Sequence, residues 1–399
     1  MFEGEAVSRL SEGEMDRVVA AADRAAAHSA WYRQRLDAGG FSERPTFERV
    51  PILTEDELAA GYYVADDDGE GHGAVFRTSG TTSGARRAVA WPALDHERYV
   101  TARAELFRTL LGDSCASGCA DLGTGHAQAS ALEIFADLGL EAFEIDVSTP
   151  IDGHVAALRA WQPDVLYTMP VILERIVGAG GPGYVPRWIV VLGDMAPRAW
   201  RRAMERRLGM DEGRIVDVFG SIEVGAIAYS DDEHGRYLFH EHIIPEPMPA
   251  PRSRSAGAQL LVLTSIERDG FPAVRYAAGD IVSGLRPVVV GGRRRWAFDA
   301  HLGREGTMVK HGEALSLTVM TERIAAVAPG VAWSVRREGL GAVIEIDESV
   351  WSPALASAVR RAVREAHPAV DAMIVSGLIV DLRVEPRTFT PANTKRSVR

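Results

Sequence analysis

A run of short hydroxyls broken by glycine, Thr78-Ser79-Gly80-Thr81-Thr82-Ser83-Gly84, closed by Arg86 and Arg87, is the stretch best suited to hold an anion. Backbone N–H groups freed by glycine, hydroxyl donors and a cation at one end can converge on phosphate oxygens. The spacing is not that of a Walker loop, because the fifth residue after Gly80 is Ala85 and no Gly-Lys-Ser/Thr follows. On composition alone the run also fits an ordinary surface turn. Isolated carboxylates stand further on. Glu223, behind a Gly-Ser pair, can ligate a divalent cation through oxygen, and Asp280, behind Gly279, can accept two hydroxyl donors. His240 and His242 would share one face of a strand, but no third metal ligand is in view. Lys395, beside Arg396 and Arg399, reads on composition as part of a basic tail.

The elements that must position these residues follow from periodicity. Ser11-Glu12-Gly13-Glu14 reads as a capping box, and Met15, Val18, Val19 and Ala22 recur at helical spacing until Gly39-Gly40 closes the helical opening. From Ala93 to about Gly220, helical stretches alternate with short apolar runs such as Glu141 to Val147, Val165 to Met169, Trp188 to Leu192 and Ile215 to Phe219. That alternation argues a mostly parallel sheet covered by helices. Gly178-Ala179-Gly180-Gly181-Pro182-Gly183 matches a dinucleotide-binding pattern letter for letter, but it follows a helix and precedes a strand, the reverse of the required context. Residues Gln259 to Thr264 and Ala273 to Tyr276 read as strands of a β-rich portion. Beyond Arg304 the pattern becomes a small α+β unit: a hairpin about Gly339-Leu340-Gly341, a helix opened by Ser352-Pro353, and further strands over Met373 to Val384.

At 399 residues, 46% hydrophobic and 25% charged, the chain has material for two or three domains and a large core. A net charge of −11 argues against nucleic acid and anionic membrane partners. The triplet Arg293-Arg294-Arg295 is a local exception, a solvated face or a cradle for a phosphate. Cys115 and Cys119 make neither a disulfide framework nor a zinc set, and no stretch reaches the roughly 18 apolar residues of a membrane span. A reducing, cytoplasmic setting is expected.

The hydroxyl loop resembles the phosphate loop Ser-Gly-Thr-Thr-Gly-x-Pro-Lys of the adenylate-forming superfamily, which includes acyl-CoA synthetases, peptide-synthetase adenylation domains and luciferases. Other segments follow in that family's order: Phe219-Gly220-Ser221-Ile222-Glu223, Arg275-Tyr276-Ala277-Ala278-Gly279-Asp280, Leu302-Gly303-Arg304 and Asn393-Thr394-Lys395. The opening, Ser29-Ala30-Trp31-Tyr32-Arg33 and Val50-Pro51-Ile52-Leu53-Thr54, is similar to that of phenylacetate:CoA ligases. The resemblance implies an α/β fold with a large domain over 1–303, whose first 70 residues are helical, and a small mobile α+β domain over 304–399.

The same resemblance implies ATP and Mg²⁺ as cofactors and assigns roles. Ser79, Gly80, Thr81, Thr82 and Arg86 would hold the phosphates, Gly193, Asp194, Phe219, Gly220 and Ser221 the adenine side, and Asp280 and Arg304 the ribose. Glu223 would ligate the metal, and Lys395 would bridge the attacking carboxylate and the α-phosphate. His126, Tyr167, Met169 and Pro170 would line the acyl slot. The sequence departs from the family at Ser83, Ala85 and Arg86, and at Gly306, where a hinge residue is usually acidic or basic. The implied reaction is adenylation of a small aromatic acid followed by transfer to CoA, in a homodimer. Transfer to a carrier-protein thiol, amide formation, diazotisation of an aryl amine and non-catalytic nucleotide binding are the alternatives.

Overall fold

Nine strands form the central sheet of the computed structural model, which describes residues 10–62, 74–77, 88–122, 126–146, 148–193, 196–249, 257–304, 308–328, 331, 333–338 and 341–388. One half is parallel, with Glu141–Glu144, Ser117–Asp121, Val165–Thr168, Trp188–Val191 and Ile215–Ser221 side by side in that order. Val165–Thr168 is buried along its whole length, as expected of a strand covered on both faces. The helices Ala93–Leu111, His126–Asp137, Ile151–Trp161 and Pro170–Gly178 alternate with these strands along the chain. The other half, Gly225–Asp231, Arg236–Phe239, Arg293–Phe298 and Arg286–Val290, is antiparallel and lies beyond the Ala93 to Gly220 stretch, whose strands pair in parallel as expected. The change of direction falls at the tight turn after Ser221, which leaves no length for a crossover helix.

A second sheet orders Leu53–Thr54, Tyr276–Ser283, Ala258–Ser265 and Ile243–Pro249, with Ala300–Arg304 also paired to Tyr276–Ser283. The strand expected from Ala273 begins only at Tyr276, because Arg275 lies in the left-handed region at φ 46°. Its guanidinium compensates for that strain. It bonds Glu246 at 2.9–3.1 Å and the Val50 carbonyl at 2.7 Å, and lies 4.4 Å from the centre of the Phe47 ring. Tyr276 donates to Glu55 at 2.8 Å, so the Arg-Tyr pair ties the helical opening to this sheet.

The expected capping box is present, with Ser11 and Glu14 bonded reciprocally at the start of the helix Glu12–His28. Glu14 does more than cap, since its other oxygen accepts from Trp296 Nε1 at 2.6 Å and pairs with Arg294. Arg295 bonds the Phe239 carbonyl at 2.5 Å, so two of the three arginines of the basic triplet are committed within the fold. Towards the C-terminus, Trp333–Glu338, Gly341–Asp347 and Arg383–Arg387 form a three-stranded sheet packed by Pro353–Glu365. The strands expected over Met373 to Val384 are largely replaced by the helix Pro368–Val375, and only Arg383–Arg387 is a strand. Arg175, on Pro170–Gly178, donates twice to the Gly377 carbonyl, at 3.1 and 2.9 Å, joining this portion to the nine-stranded sheet. Cys115 and Cys119 are free, and among the described residues no helix is long and apolar enough to cross a membrane.

One buried ion pair joins the parts around the sheet's reversal. Asp95 and Arg268 are both almost fully buried and bonded to each other; Asp95 also accepts from the Asp269 and Gly270 N–H groups at 3.0 and 2.7 Å. Arg268 reaches the Ala90 carbonyl at 2.7 Å and the Glu223 carbonyl at 3.2 Å, with its guanidinium 4.0 Å from the centre of the Trp91 ring. Asp95→Asn leaves Arg268 uncompensated in the interior and should cost about 3–5 kcal/mol, read as a lower urea midpoint at unchanged slope.

Candidate functional site

The C-terminal ends of parallel strands are where open α/β sheets bind ligands. Here, Ser117–Asp121 leads to His126, Val165–Thr168 to Met169 and Pro170, Trp188–Val191 to Gly193, and Ile215–Ser221 carries Phe219, Gly220 and Ser221. His126, Met169, Pro170, Gly193, Phe219, Gly220 and Ser221 therefore lie at one edge of the sheet, with Tyr167 inside its strand and Glu223 in the turn that follows, while Asp280 and Arg304 belong to the second sheet. Ser79, Gly80, Thr81, Thr82, Arg86, Asp194 and Lys395, with Gly306, lie outside the described residues.

Phe219 is half-buried, its ring centroid 5.1 Å from that of His301 and 6.4 Å from that of Phe298. His301 Nε2 in turn bonds Asp280 Oδ1 at 2.9 Å, so the second sheet delivers Asp280 to the side of Phe219. The Arg304 backbone pairs with Asp280 across the Tyr276–Ser283 and Ala300–Arg304 strands. Gly220 cannot bear a side chain, because a Cβ there would stand 2.7 Å from the Gly225 carbonyl and 2.9 Å from Arg103 Nη2. Ser221 Oγ accepts from Val224 N at 3.1 Å, closing the turn that displays Glu223, and Trp91 Nε1 donates to the Ile222 carbonyl at 3.0 Å. Gly193 has φ 87°, and Met169 packs against it.

His126 opens its helix buried in an aromatic cage. It is stacked on Trp91 at 3.7 Å, edge-on to Tyr99 and Phe76, and bonded to His96 Nδ1 at 3.1 Å. Burial, with the charges of His96, Arg268 and Arg103, pushes its pKa down to about 2, so it acts as a neutral group. His240 and His242 lie just past the Arg236–Phe239 strand rather than on it; their rings stack at 5.4 Å, and His242 Nε2 bonds the Ala226 carbonyl at 2.9 Å. Among the described residues no group of His, Cys, Asp and Glu makes a metal cage. The Glu223 carboxylate suits Mg²⁺ all the same, since that ion takes one or two carboxylates and fills its shell with water and phosphate.

Sequence reasoning missed several polar groups here. Asp121 and His154 form a fully buried pair at 2.9 Å at the end of the Ser117–Asp121 strand. Asp217 lies beneath Phe219, bonded by the Tyr237 hydroxyl at 2.5 Å. Arg103, on Ala93–Leu111, is 1% exposed; its Nε and Nη1 have no hydrogen-bond partner, and no carboxylate of the described residues is within ion-pair distance. The Tyr167 hydroxyl, Thr168 Oγ1 and His240 Nε2 are likewise buried without partners. The available signal is the spacing of Asp95, Tyr99 and Arg103, four residues apart on one helix and all buried.

Comparisons with known proteins bear on the family and the fold. Over 360 residues the chain is 33% identical to the fumarate–(S)-2,3-diaminopropanoate ligase of Enterobacter agglomerans, covering 89% of this chain and 91% of that one. Residues 310–390 match the fumarate–diaminopropanoate ligase C-terminal domain family. Crystal structures of 2-hydroxyisobutyryl-CoA ligase share the fold at 16–18% identity and cover 97% of this chain. The TM-score is 0.72 for the thioesterification state, over 89% of that structure, and 0.60 for the postadenylation state with 2-hydroxyisobutyryl-AMP, also over 89%. The amide bond synthetase McbA from Marinactinospora thermotolerans matches at TM-score 0.51 and 14% identity, over 80% of this chain and 66% of that one. The fold is that of the adenylate-forming ligases, and the chain is an enzyme of that class. Within that superfamily, the chain belongs to the fumarate–diaminopropanoate ligase family.

Asp217 supplies a test of the electrostatics. Burial raises its pKa to about 6 against the opposing Tyr237 hydrogen bond and the Arg201 charge, so the folded state holds the proton more tightly than the unfolded chain. Its contribution is therefore present below pH 4 and lost as pH rises through 6, by about 3 kcal/mol. Asp217→Asn, which keeps an acceptor for Tyr237, should remove that loss, seen in denaturant titrations of both proteins from pH 4 to 7.

Proposed function

We propose that the protein activates a small carboxylic acid as its acyl-adenylate with ATP and passes the acyl group to an amine, forming an amide. The observation that carries this reading is the near full-length 33% identity to a ligase named for joining an acid to an amino acid. An amine acceptor is supported over CoA by the basic triplet, whose Arg294 and Arg295 are bonded to Glu14 and the Phe239 carbonyl rather than held for a phosphate. A short polar acid is supported over an aromatic one by the buried charge and unpartnered hydroxyls around Tyr167.

The residue roles follow from chemistry. Adenylation brings two anions together, so the site must neutralise charge on the α-phosphate and align the attacking carboxylate. We assign Ser79, Gly80, Thr81, Thr82 and Arg86 to the β- and γ-phosphates, Phe219, Gly220, Ser221, Gly193 and Asp194 to the adenine, and Asp280 with Arg304 to the ribose. His301 orients Asp280. Glu223 would hold Mg²⁺, which supplies charge neutralisation at the phosphates. Residues 304–399 form the small domain that carries Lys395 to the α-phosphate, and His126 is a neutral wall of the acyl slot.

The reading is tested by incubating the protein with ATP, an acid panel and, separately, diaminopropanoate, CoA or a carrier protein, with products read by mass spectrometry. Amide with the amine and no thioester is the expected result; thioester without amide overturns the acceptor assignment. Lys395→Ala should lower acyl-adenylate formation about 10²- to 10³-fold while sparing conversion of supplied acyl-adenylate to amide, measured in single turnover. Asp280→Asn should raise the KM for ATP with an unchanged melting temperature.

A further inference from the structure

We infer that His126, His96 and Glu133 form a proton relay, which carries the proton shed by the attacking amine out of the site to solvent. This deepens the proposed transfer to an amine and rests on it. Aminolysis forms a C–N bond at the acyl carbon and breaks the bond from that carbon to the phosphate oxygen, the electron pair leaving on AMP. One N–H proton must also leave the nitrogen, and a positioned acceptor speeds such a transfer about 10²- to 10⁴-fold.

The three side chains stand in line. His126 Nε2 lies 3.1 Å from His96 Nδ1, and His96 Nε2 lies 2.9 Å from Glu133 Oε2. Exposure rises along the line: His126 is 4% exposed, and the side chains of His96 and Glu133 are 20% and 56% exposed. His126 and Glu133 share one face of the helix His126–Asp137, two turns apart, and His96 reaches between them from the helix Ala93–Leu111. The carboxylate sets the direction of the hydrogen bonds. An ionised Glu133 can only accept, so His96 Nε2 carries the hydrogen; with the rings uncharged, His96 Nδ1 then accepts and His126 Nε2 donates to it. His126 Nδ1 is thereby the acceptor at the inner end.

That inner end lies beside the turn assigned to the metal and phosphates. His126 opens the helix that follows the Ser117–Asp121 strand, and its ring is stacked 3.7 Å from Trp91, whose Nε1 donates to the Ile222 carbonyl next to Glu223. One indole separates the two. Tyr99 and Phe76 close the edges of the imidazole, and burial, with the charges of His96, Arg268 and Arg103, holds its pKa down at about 2. A ring of such low basicity passes a proton without storing it. As Nδ1 gains one, Nε2 yields its own to His96, and His96 Nε2 yields its own to Glu133, which releases it to water. No full charge rests on the buried ring. The tautomers reset between turnovers by exchange with water at the part-exposed His96.

The test compares the wild type with Glu133→Gln and His96→Ala in single-turnover transfer, with fumaryl-adenylate and diaminopropanoate as probes, from neutral to alkaline pH. ATP–pyrophosphate exchange and melting temperature are read in parallel. Both variants should lose transfer about 10²-fold at neutral pH, recover towards alkaline pH as hydroxide takes the proton directly, and keep the wild-type exchange rate. Added imidazole should restore part of the transfer in His96→Ala. Glu133→Gln, at an exposed position, should melt as the wild type does, which separates the effect from folding. Unchanged transfer in Glu133→Gln overturns the relay, and so does a loss shared equally by exchange or independent of pH. If the wild type transfers to CoA and not to the amine, the acceptor reading fails. The same variants are then read on thioester formation, where the thiol proton needs the same exit: a loss that fades with rising pH still upholds the relay, and equal rates overturn it. A wild type that neither exchanges nor transfers overturns both readings.

Discussion

The arrangement around the sheet's reversal depends on the buried contact between Asp95 and Arg268. Three stretches of chain distant in sequence meet on these two side chains: the Ala88–Trp91 strand with the start of the Ala93–Leu111 helix that follows it, the turn holding Glu223, and the loop at Asp269 and Gly270. Burying both charges carries a desolvation penalty that mutual attraction alone seldom offsets, so the extra hydrogen bonds to main-chain groups decide the balance. Their directionality is also what a hydrophobic contact would lack. They fix the turn at Glu223 relative to the helix, where apolar packing would leave several registers close in energy.

What the amino-acid sequence discloses of the fold and site divides along a physical line. Local chemistry is legible: the capping box at Ser11 and Glu14, the Ser352-Pro353 helix start and the fully buried Val165–Thr168 strand each depend on neighbours a few residues away. The order of segments at Phe219 and Asp280 is legible through resemblance, and the fold brings both to one place, joined through His301. Long-range pairings are not legible. That Glu14 also anchors Trp296 and Arg294, or that Arg275 is committed to Val50, depends on contacts across more than 200 residues of chain, for which periodicity carries no information. That the strands after Gly225 continue the same sheet in the antiparallel sense is hidden for a related reason: a short apolar strand looks the same whichever direction its neighbour runs.

The site holds an unusual division of charge. His126, His240 and His242, which sequence reasoning could cast as acids, bases or ligands, are all shifted by burial towards the neutral form, with neighbouring arginines adding to the effect. Positive charge is thereby concentrated on arginines, whose protonation does not vary with pH. An enzyme that must gather anions gains from this, because binding strength does not fade as the medium approaches the range in which histidines titrate.

Asp95 and Arg103 lie on the same face of one unbroken helix, eight residues apart. At 1.5 Å per residue that is about 12 Å of rigid rod, and no side chain needs to reorient for a displacement at one end to reach the other. The helix thus behaves as a rod clamped at Asp95 to the Asp269 and Gly270 loop, with Arg103 at its other end beside the main chain of Gly220. Drift in that loop would be carried along the rod to Gly220, although the two are about 50 residues apart in the chain.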